Sequence, residues 1–595
     1  MKSNKIPGNG MRAERIIIIL SLCLLFFIPS IYFYWFGNGI FFYQENRSLF
    51  IFSNDYLQKF AVKPGGLLEY IGNFLTQGYF YSAYGSLLVS LLLILLSAVF
   101  IKINKQLSVS FPFSLILMLV PSCLLLLSQT GYEHFIHHSL GFLLVALWFW
   151  ISILPGDKFL RFLFVILYPV LYYLTGAYAL IYIGLYIMYG LIFEKGFFRY
   201  FLPALLIVNA FLTLILFKEV LFLQPVDQLL KYPLPFSDFT KVPLFLYILF
   251  VYFIMFPLIA KGLVTCNING QFNKFIPVIT ILIIFPVTVC LLIKSHNYDL
   301  ANLMQLEKSL FEQKWDAIIK QHESCPSKNV IGQYYYNLAL SEKDELCDRM
   351  FFGNQDFGAK TLTLPRDHEH INKAVYFYYT IGLISEAHHL AYESMVIFGY
   401  QPENIKMLIK TELIKGNYRI AELYINVLKK TLNYRSWARK YEKMLYNPAM
   451  INSDPELGEK IRLLPGRDLF VSSKDVKNID LVLMGNPDNK RAFEYKIARM
   501  LLEKDFKSVV YQVKKMKDMN YTKIPGHIEE AILLFKNLNL DLPYLGGLTV
   551  NPKTELRFRQ YKRNFTLNNN GNKSFPEKEM KKEWHNTFWY YLQFK

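Results

Sequence analysis

The chain has 595 residues, a formal net charge of +18, and a composition that is 53% hydrophobic but only 18% charged. Its basic residues are spread through loops and the C-terminal half instead of forming one footprint, so nucleic acid is not an expected partner. Charges are sparse from Ile16 to about Ile293 and mixed after Lys294, which predicts an all-α protein: a polytopic membrane domain over 1–296, then a water-facing half.

The N-terminus is basic and runs into an apolar stretch ending in WFGNG. That is a poor cleavage site, so an uncleaved first span is expected. Charge-free runs at 16–36, 85–101, 111–128, 139–154, 162–174, 176–193, 200–217, 243–260 and 275–293 predict nine spans. With the N-terminus inside, the Lys and Arg between the runs fall mostly on inside segments, as orientation by positive charge requires. Residues 162–193 read either as one span or as a hairpin turning at Thr175-Gly176. One helix of that length would reach about 50 Å against a hydrocarbon core of about 30 Å, so the hairpin is expected. A single span would move everything downstream to the other side.

The first outer loop, 37–84, is chemically dense. Within FYQENRSLFIFSNDYLQKFAVKPGGLLEY it carries Glu45, Asp55 and Glu69, the cations Arg47, Lys59 and Lys63, and a Pro64-Gly65-Gly66 turn into an amphipathic segment. A second polar cluster, EHFIHH, sets Glu133, His134, His137 and His138 in a short outside loop. An acid and imidazoles at a membrane mouth suit phosphate binding or proton transfer, or they simply mark the interface. No phosphate-binding glycine loop, His-Glu-x-x-His or Cys-x-x-Cys is present, so neither a cofactor nor a metal is expected. His368, His370, His388 and His389 form no converging ligand set, and Cys325 and Cys347 are either two free thiols or a pair.

Beyond Tyr298 the pattern is helical. In MLIKTELIKGNYRIAELYINVLKK, Leu413, Gly416, Tyr418 and Ala421 follow Leu-x-x-Gly-x-Tyr-x-x-Ala; Gly382 and Ala387 repeat it at an offset of 416 − 382 = 34, and Trp315 and Phe506 mark looser copies. These segments resemble tetratricopeptide repeats over 300–450 and again over 490–540. The resemblance implies an α-solenoid over 297–545, a small residue that lets two helices approach, an aromatic filling the groove between them, and either a protein partner in the concave face or packing on the membrane half. The segment 546–595 breaks the pattern. Its run from Arg557 to Arg563 reads as a solvated basic-aromatic tail or a contact for anionic headgroups.

The layout of about residues 1–300 resembles the GT-C glycosyltransferases, with an acidic first outer loop and a soluble outer C-terminal domain. That resemblance implies a polyprenyl-phosphate-linked sugar donor and a first-loop carboxylate as base, here Asp55 in SNDY or Glu45 in YQEN. Arg47, Lys59 and Lys63 would then meet the donor phosphates, and Glu133 and His134 would serve as further substrate contacts. The Asp-x-Asp-like pair of several such enzymes is absent, so no metal is implied. FYQEN, DY and PGGL before span two, followed by repeat helices, are also similar to an uncharacterised family of bacterial polytopic membrane proteins, which implies architecture but no particular chemistry. Two functions follow: an envelope glycosyltransferase of the inner membrane with a periplasmic C-terminal half, or a non-catalytic scaffold for envelope biogenesis or secretion. A transporter would need ionisable residues inside its spans, and these spans have essentially none.

Overall fold

Helices form every regular element among the described residues of the computed structural model, which are 9–154, 158–235, 242–265, 272–466, 472, 475–569 and 577–595. The chain divides into two compact units: Met1–Asn297 with Lys430–Asn433, and Tyr298–Lys429 with Tyr434–Lys595.

The first unit runs α1 (Asn9–Trp35), α2 (Asn38–Arg47), α3 (Asn54–Ala61), α4 (Gly66–Thr76), α5 (Ser82–Gln106), α6 (Phe111–Ser128) and α7 (Ile136–Ser152). It continues with α8 (Lys158–Ile166), α9 (Tyr168–Thr175), α10 (Ala179–Phe193), α11 (Phe198–Leu216), α12 (Val226–Lys231), α13 (Leu244–Thr265) and α14 (Phe272–Ser295). Among the described residues, seven helices are long and apolar enough to cross a membrane, and α7 is apolar but shorter. Phe33, Leu93, Leu119, Phe142, Phe149 and Phe253 are fully buried between them, whereas Ile19, Phe211 and Leu282 face outward, as lipid-facing positions do. Serines let α1, α5 and α6 approach closely: Ser97 and Ser122 share a 2.7 Å hydrogen bond, and Ser30 and Ser90 one of 2.9 Å. Such small polar contacts hold helices together where both solvent and side chains are apolar.

Tyr168–Phe193 forms a 26-residue apolar stretch, but it is not one straight helix. Gly176 caps α9 with a φ of +60°, and Arg161 lies 2.5 Å from Glu194, 33 residues on. A continuous helix would hold those residues about 50 Å apart. Asn209 of α11 donates to the carbonyls of Val165 and Ile166 at 2.7 and 3.0 Å, while Tyr172 packs on Phe217, so α8 and α9 run parallel to α11. Since α10 turns directly into α11 through residues 194–197, α8–α9 and α10 fold back on each other at Gly176, as the hairpin reading expects. The reversal brings many helix ends to one end of the bundle. There His296 packs on Tyr32 and Phe36, Tyr43 on Tyr132, and Tyr178 shares a hydrogen bond with His138.

The second unit is built from helix–turn–helix pairs. It opens with α15 (Tyr298–Phe311) and α16 (Trp315–Ser324), α17 (Val330–Glu342) and α18 (Leu346–Arg349), α19 (Ile371–Thr380) and α20 (Ile384–Phe398), α21 (Pro402–Lys415) and α22 (Tyr418–Lys429); a later pair is Lys490–Leu502 and Phe506–Gln512. In these five pairs the turn is the same. A left-handed residue, Gln313, Asp344, Gly382, Gly416 or Lys504, ends the first helix. The next residue donates its N–H to the carbonyl five back, at 2.8–2.9 Å in each case. An apolar residue then opens the second helix. This is the Schellman termination, which satisfies carbonyls a helix end would otherwise leave unpaired.

One detail of these pairs differs from the sequence reading, which expects an aromatic to fill the groove between helices. Gly416 has φ +76° and open space where a Cβ would lie, so it serves the left-handed cap. Tyr418 is half-buried against Tyr446; Leu413 and Ala421 supply the buried contacts. The C-terminal segment also differs. Pro552–Asn569 is an 18-residue helix, and Phe558, Tyr561, Trp584 and Trp589 cluster with Leu533. Trp589 Nε1 donates to the Glu530 carbonyl at 2.9 Å. Its aromatics supply enough apolar surface to dock the segment, so it is not a solvated tail. Cys325 is free and exposed, Cys347 free and buried.

Glu494 is buried in this unit and accepts a 3.1 Å hydrogen bond from Tyr521. Burial, with Asp344 and Asp348 nearby and outweighing Tyr521 and Arg491, pushes its carboxyl up to about 7.

Two outcomes test this packing. Gly416→Ala should cost about 1 kcal/mol through backbone strain alone. Gly382→Ala, whose Cβ would lie 2.6 Å from the Leu463 carbonyl, should cost at least about 2 kcal/mol; equal shifts in thermal midpoint would contradict these separate roles. For Glu494 the native state favours the protonated form. Its contribution is therefore complete below the ordinary value of 4.5 and lost as pH rises through about 7. Glu494→Gln should remove that slope and be the more stable protein at pH 8, by up to about 3 kcal/mol, in unfolding curves run across that pH range.

Candidate functional site

Most of the first loop is helical, and α2 is its anchor. Its buried face carries Ile40, Phe41, Gln44 and Glu45. Gln44 Nε2 donates to the Tyr132 and His134 carbonyls at 3.1 and 3.0 Å, tying the helix to the turn between α6 and α7. Tyr43 donates its hydroxyl to Glu133 Oε1, and the Arg47 guanidinium stands 5.2 Å over the Tyr43 ring one turn on. Glu45 is buried, and Asn433, which belongs to the same unit, donates to its Oε1 at 3.3 Å and to the Gln77 carbonyl at 2.8 Å.

Behind this patch lie the histidines. His134 is buried, with Nε2 3.2 Å from Ser139 Oγ, and burial pushes its imidazole down to about 3. It is therefore neutral at physiological pH, a hydrogen-bonding group and not a fixed cation. The His137 and His138 rings lie 4.0 Å apart. Several buried polar atoms on these elements have no hydrogen-bond partner: Gln44 Oε1, Gln77 Oε1 and His137 Nδ1. Such orphans are uncommon in folded proteins and often mark sites that meet another group.

The Pro64-Gly65-Gly66 corner sits elsewhere on the same end. Gly65 has φ +77°, its N–H donates to the Tyr173 carbonyl at 2.8 Å, and a Cβ would lie 2.7 Å from Pro233. The corner is thus locked against Gly176 and Pro233. Lys63 reaches Glu69 at 3.3 Å and covers the Tyr232 ring at 3.9 Å; the Tyr232 hydroxyl donates to Glu69.

The structure therefore gathers Glu45, Arg47, Glu133 and His134 around α2 and the 129–135 turn. Lys63 pairs with Glu69 at the corner. Asp55 and Lys59 are exposed at opposite ends of α3, where Ser53 caps the helix by accepting from the Tyr56 N–H at 3.2 Å. An acid in the first turn and a base in the last both suit the helix dipole. Gln44, Tyr43 and Tyr232 escape the sequence reading. The four-residue step from Tyr43 to Arg47 was a usable signal, whereas Tyr232 comes from a distant loop that no local pattern ties to Glu69. Among the described residues, no group of three or more His, Cys, Asp or Glu is placed to hold a metal ion.

A family model described as a family of unknown function (DUF6057) matches residues 14–595. The chain belongs to that family. Neither a curated protein nor a solved structure matches it. Its apolar helices make this a membrane protein.

Gln44→Ala should release the 129–135 turn. Losing two hydrogen bonds, about 2 kcal/mol together, should speed local amide exchange on the order of 30-fold. Unchanged exchange at residues 129–136 would mean that α2 does not hold this turn.

Proposed function

We propose that the protein is an enzyme of the bacterial inner membrane that transfers a sugar from a polyprenyl-phosphate donor, in the manner of the GT-C glycosyltransferases. The observation that carries this reading is the buried Glu45 and the adjacent Arg47 on one short helix, tied to Glu133 and His134 at the end of an apolar bundle. A lipid-anchored donor needs its reacting carbon held at such an edge. In the proposed step the acceptor hydroxyl attacks the anomeric carbon, and its proton passes to the Glu45 carboxylate. The carbon–oxygen bond to the phosphate breaks, and the polyprenyl phosphate leaves with the bonding electrons near Arg47. General-base assistance of this kind contributes about 10²- to 10⁴-fold. Asp55, exposed and suited to its helix dipole, is the weaker candidate.

Nine crossings complete the proposal: α1, α5, α6, α7, α8–α9, α10, α11, α13 and α14. They put Asn297 on the side of the first loop, the periplasm, and the second unit, read as a tetratricopeptide-like solenoid, would present the acceptor there. The repeated Schellman turns favour a second reading, a non-catalytic membrane-anchored scaffold for envelope assembly or secretion.

Purified protein in liposomes, given radiolabelled polyprenyl-phosphate sugars and a panel of acceptors, tests the choice. Glu45→Gln should lower transfer by at least about 100-fold at unchanged protein level, and Asp55→Asn should stay within about threefold of the parent. Full transfer by Glu45→Gln overturns Glu45 as base. No transfer with any donor, together with full complementation of a deletion strain by both variants, selects the scaffold.

A further inference from the structure

A groove in the second unit has a chemistry that the first-loop site does not use. A cavity of about 230 Å³ opens among α17, α19, α21 and the helix Pro455–Arg462, and it shares Lys406, Lys410, Glu403 and Glu456 with a wider depression of about 540 Å³. The depression falls in the size range of small-molecule sites, about 300–1,000 Å³.

Its charges are already matched. Lys406 lies 2.6 Å from Glu403, Lys410 2.7 Å from Glu456, and Lys460 2.8 Å from Glu342, and Glu342 also receives Arg491. A phosphate or a polyanion would have to displace a carboxylate from each ammonium it met, so the groove is poorly suited to an anion. A purely apolar ligand would strand the same ion pairs without water.

Between the charges stand flat aromatic faces. Trp315 lines the inner cavity and Trp437 the depression. Trp437 stacks on Tyr441 with ring centroids 4.1 Å apart and 24° between planes. The Tyr379 ring has Lys460 and Lys410 at 5.3 and 5.9 Å, and its hydroxyl donates to Glu456 at 2.9 Å. Trp315 and Trp437 are half-exposed, while the charged groups beside them are held in place by their partners. The wall therefore alternates rigid apolar planes with fixed donors and acceptors in balance.

That alternation fits one ligand chemistry. A sugar ring presents an apolar C–H face to an aromatic plane and a rim of hydroxyls, each both donor and acceptor, to carboxylates and ammoniums. A peptide strand would need a free strand edge, and no strand occurs among the described residues. We propose that this groove is a binding site for a neutral oligosaccharide. The inference stands on the groove alone and does not depend on Glu45 or on any transfer reaction.

Calorimetric titration of the full-length protein tests it, in a detergent without a sugar headgroup, with neutral tetrasaccharides of glucose, mannose, galactose and N-acetylglucosamine. At least one should bind with a Kd of about 1 mM or tighter. Trp437→Ala should weaken it by about tenfold or more, and Trp437→Phe, which keeps a flat ring, by less. Trp315→Ala is the independent second variant, and thermal unfolding shows whether each variant is folded. Glu45→Gln should bind like the parent, which separates failure of this groove from failure of the transferase reading. The proposal is overturned if no neutral tetrasaccharide binds below about 10 mM, if folded Trp437→Ala and Trp315→Ala both bind unchanged, or if only tetra-uronic acids or acidic peptides bind.

Discussion

Hydrocarbon offers no partner for a backbone amide, and that single constraint organises the first unit. Its apolar runs become helices that pair their own amides, and its charges collect where those helices end. Arg161 and Glu194 illustrate the consequence. Each would be costly in mid-membrane, yet they meet because the chain reverses at Gly176 and returns. The same reversal delivers Gly176 to the far end, where Gly65 and Pro233 close on it. The polar patch around α2 lies where these helix ends meet.

The second unit solves a different problem with equal economy. Its helices are shorter and more polar, and the five turns between them nonetheless agree. In each, a left-handed residue and the N–H that follows it finish one helix before the next begins. The left-handed position is glycine in two of the five pairs and Gln313, Asp344 or Lys504 in the others. The shared element is thus a backbone geometry, and side chains follow it loosely. A pattern sought through its glycines is therefore seen only in part, although the five pairs share one turn.

Legibility in the sequence follows the range of the interactions involved. The apolar helices and the chain reversal near Gly176 were readable because hydropathy and length act locally. The turn at Pro64-Gly65-Gly66 was readable for the same reason. Tertiary partners were not. Gln44 is an unremarkable amide until its two carbonyl acceptors, 88 and 90 residues on, are known. The C-terminal segment looked like a tail because its basic residues dominate its composition. Its fold is decided by Phe558, Trp584 and Trp589, spaced too irregularly to register as one helical face.

The contrast between Glu45 and Asp55 has the same origin. Both lie in the first loop, within a few residues of an aromatic and a cation, and composition cannot rank them. Their surroundings can. Asp55 is exposed in the first turn of α3. Glu45 lies under the loop, on a helix whose neighbours leave buried amide oxygens without partners. A carboxylate that must take up a proton during a reaction gains from losing water, and one that only keeps a helix soluble gains from keeping it. Burial therefore distinguishes two carboxylates that the sequence left unranked.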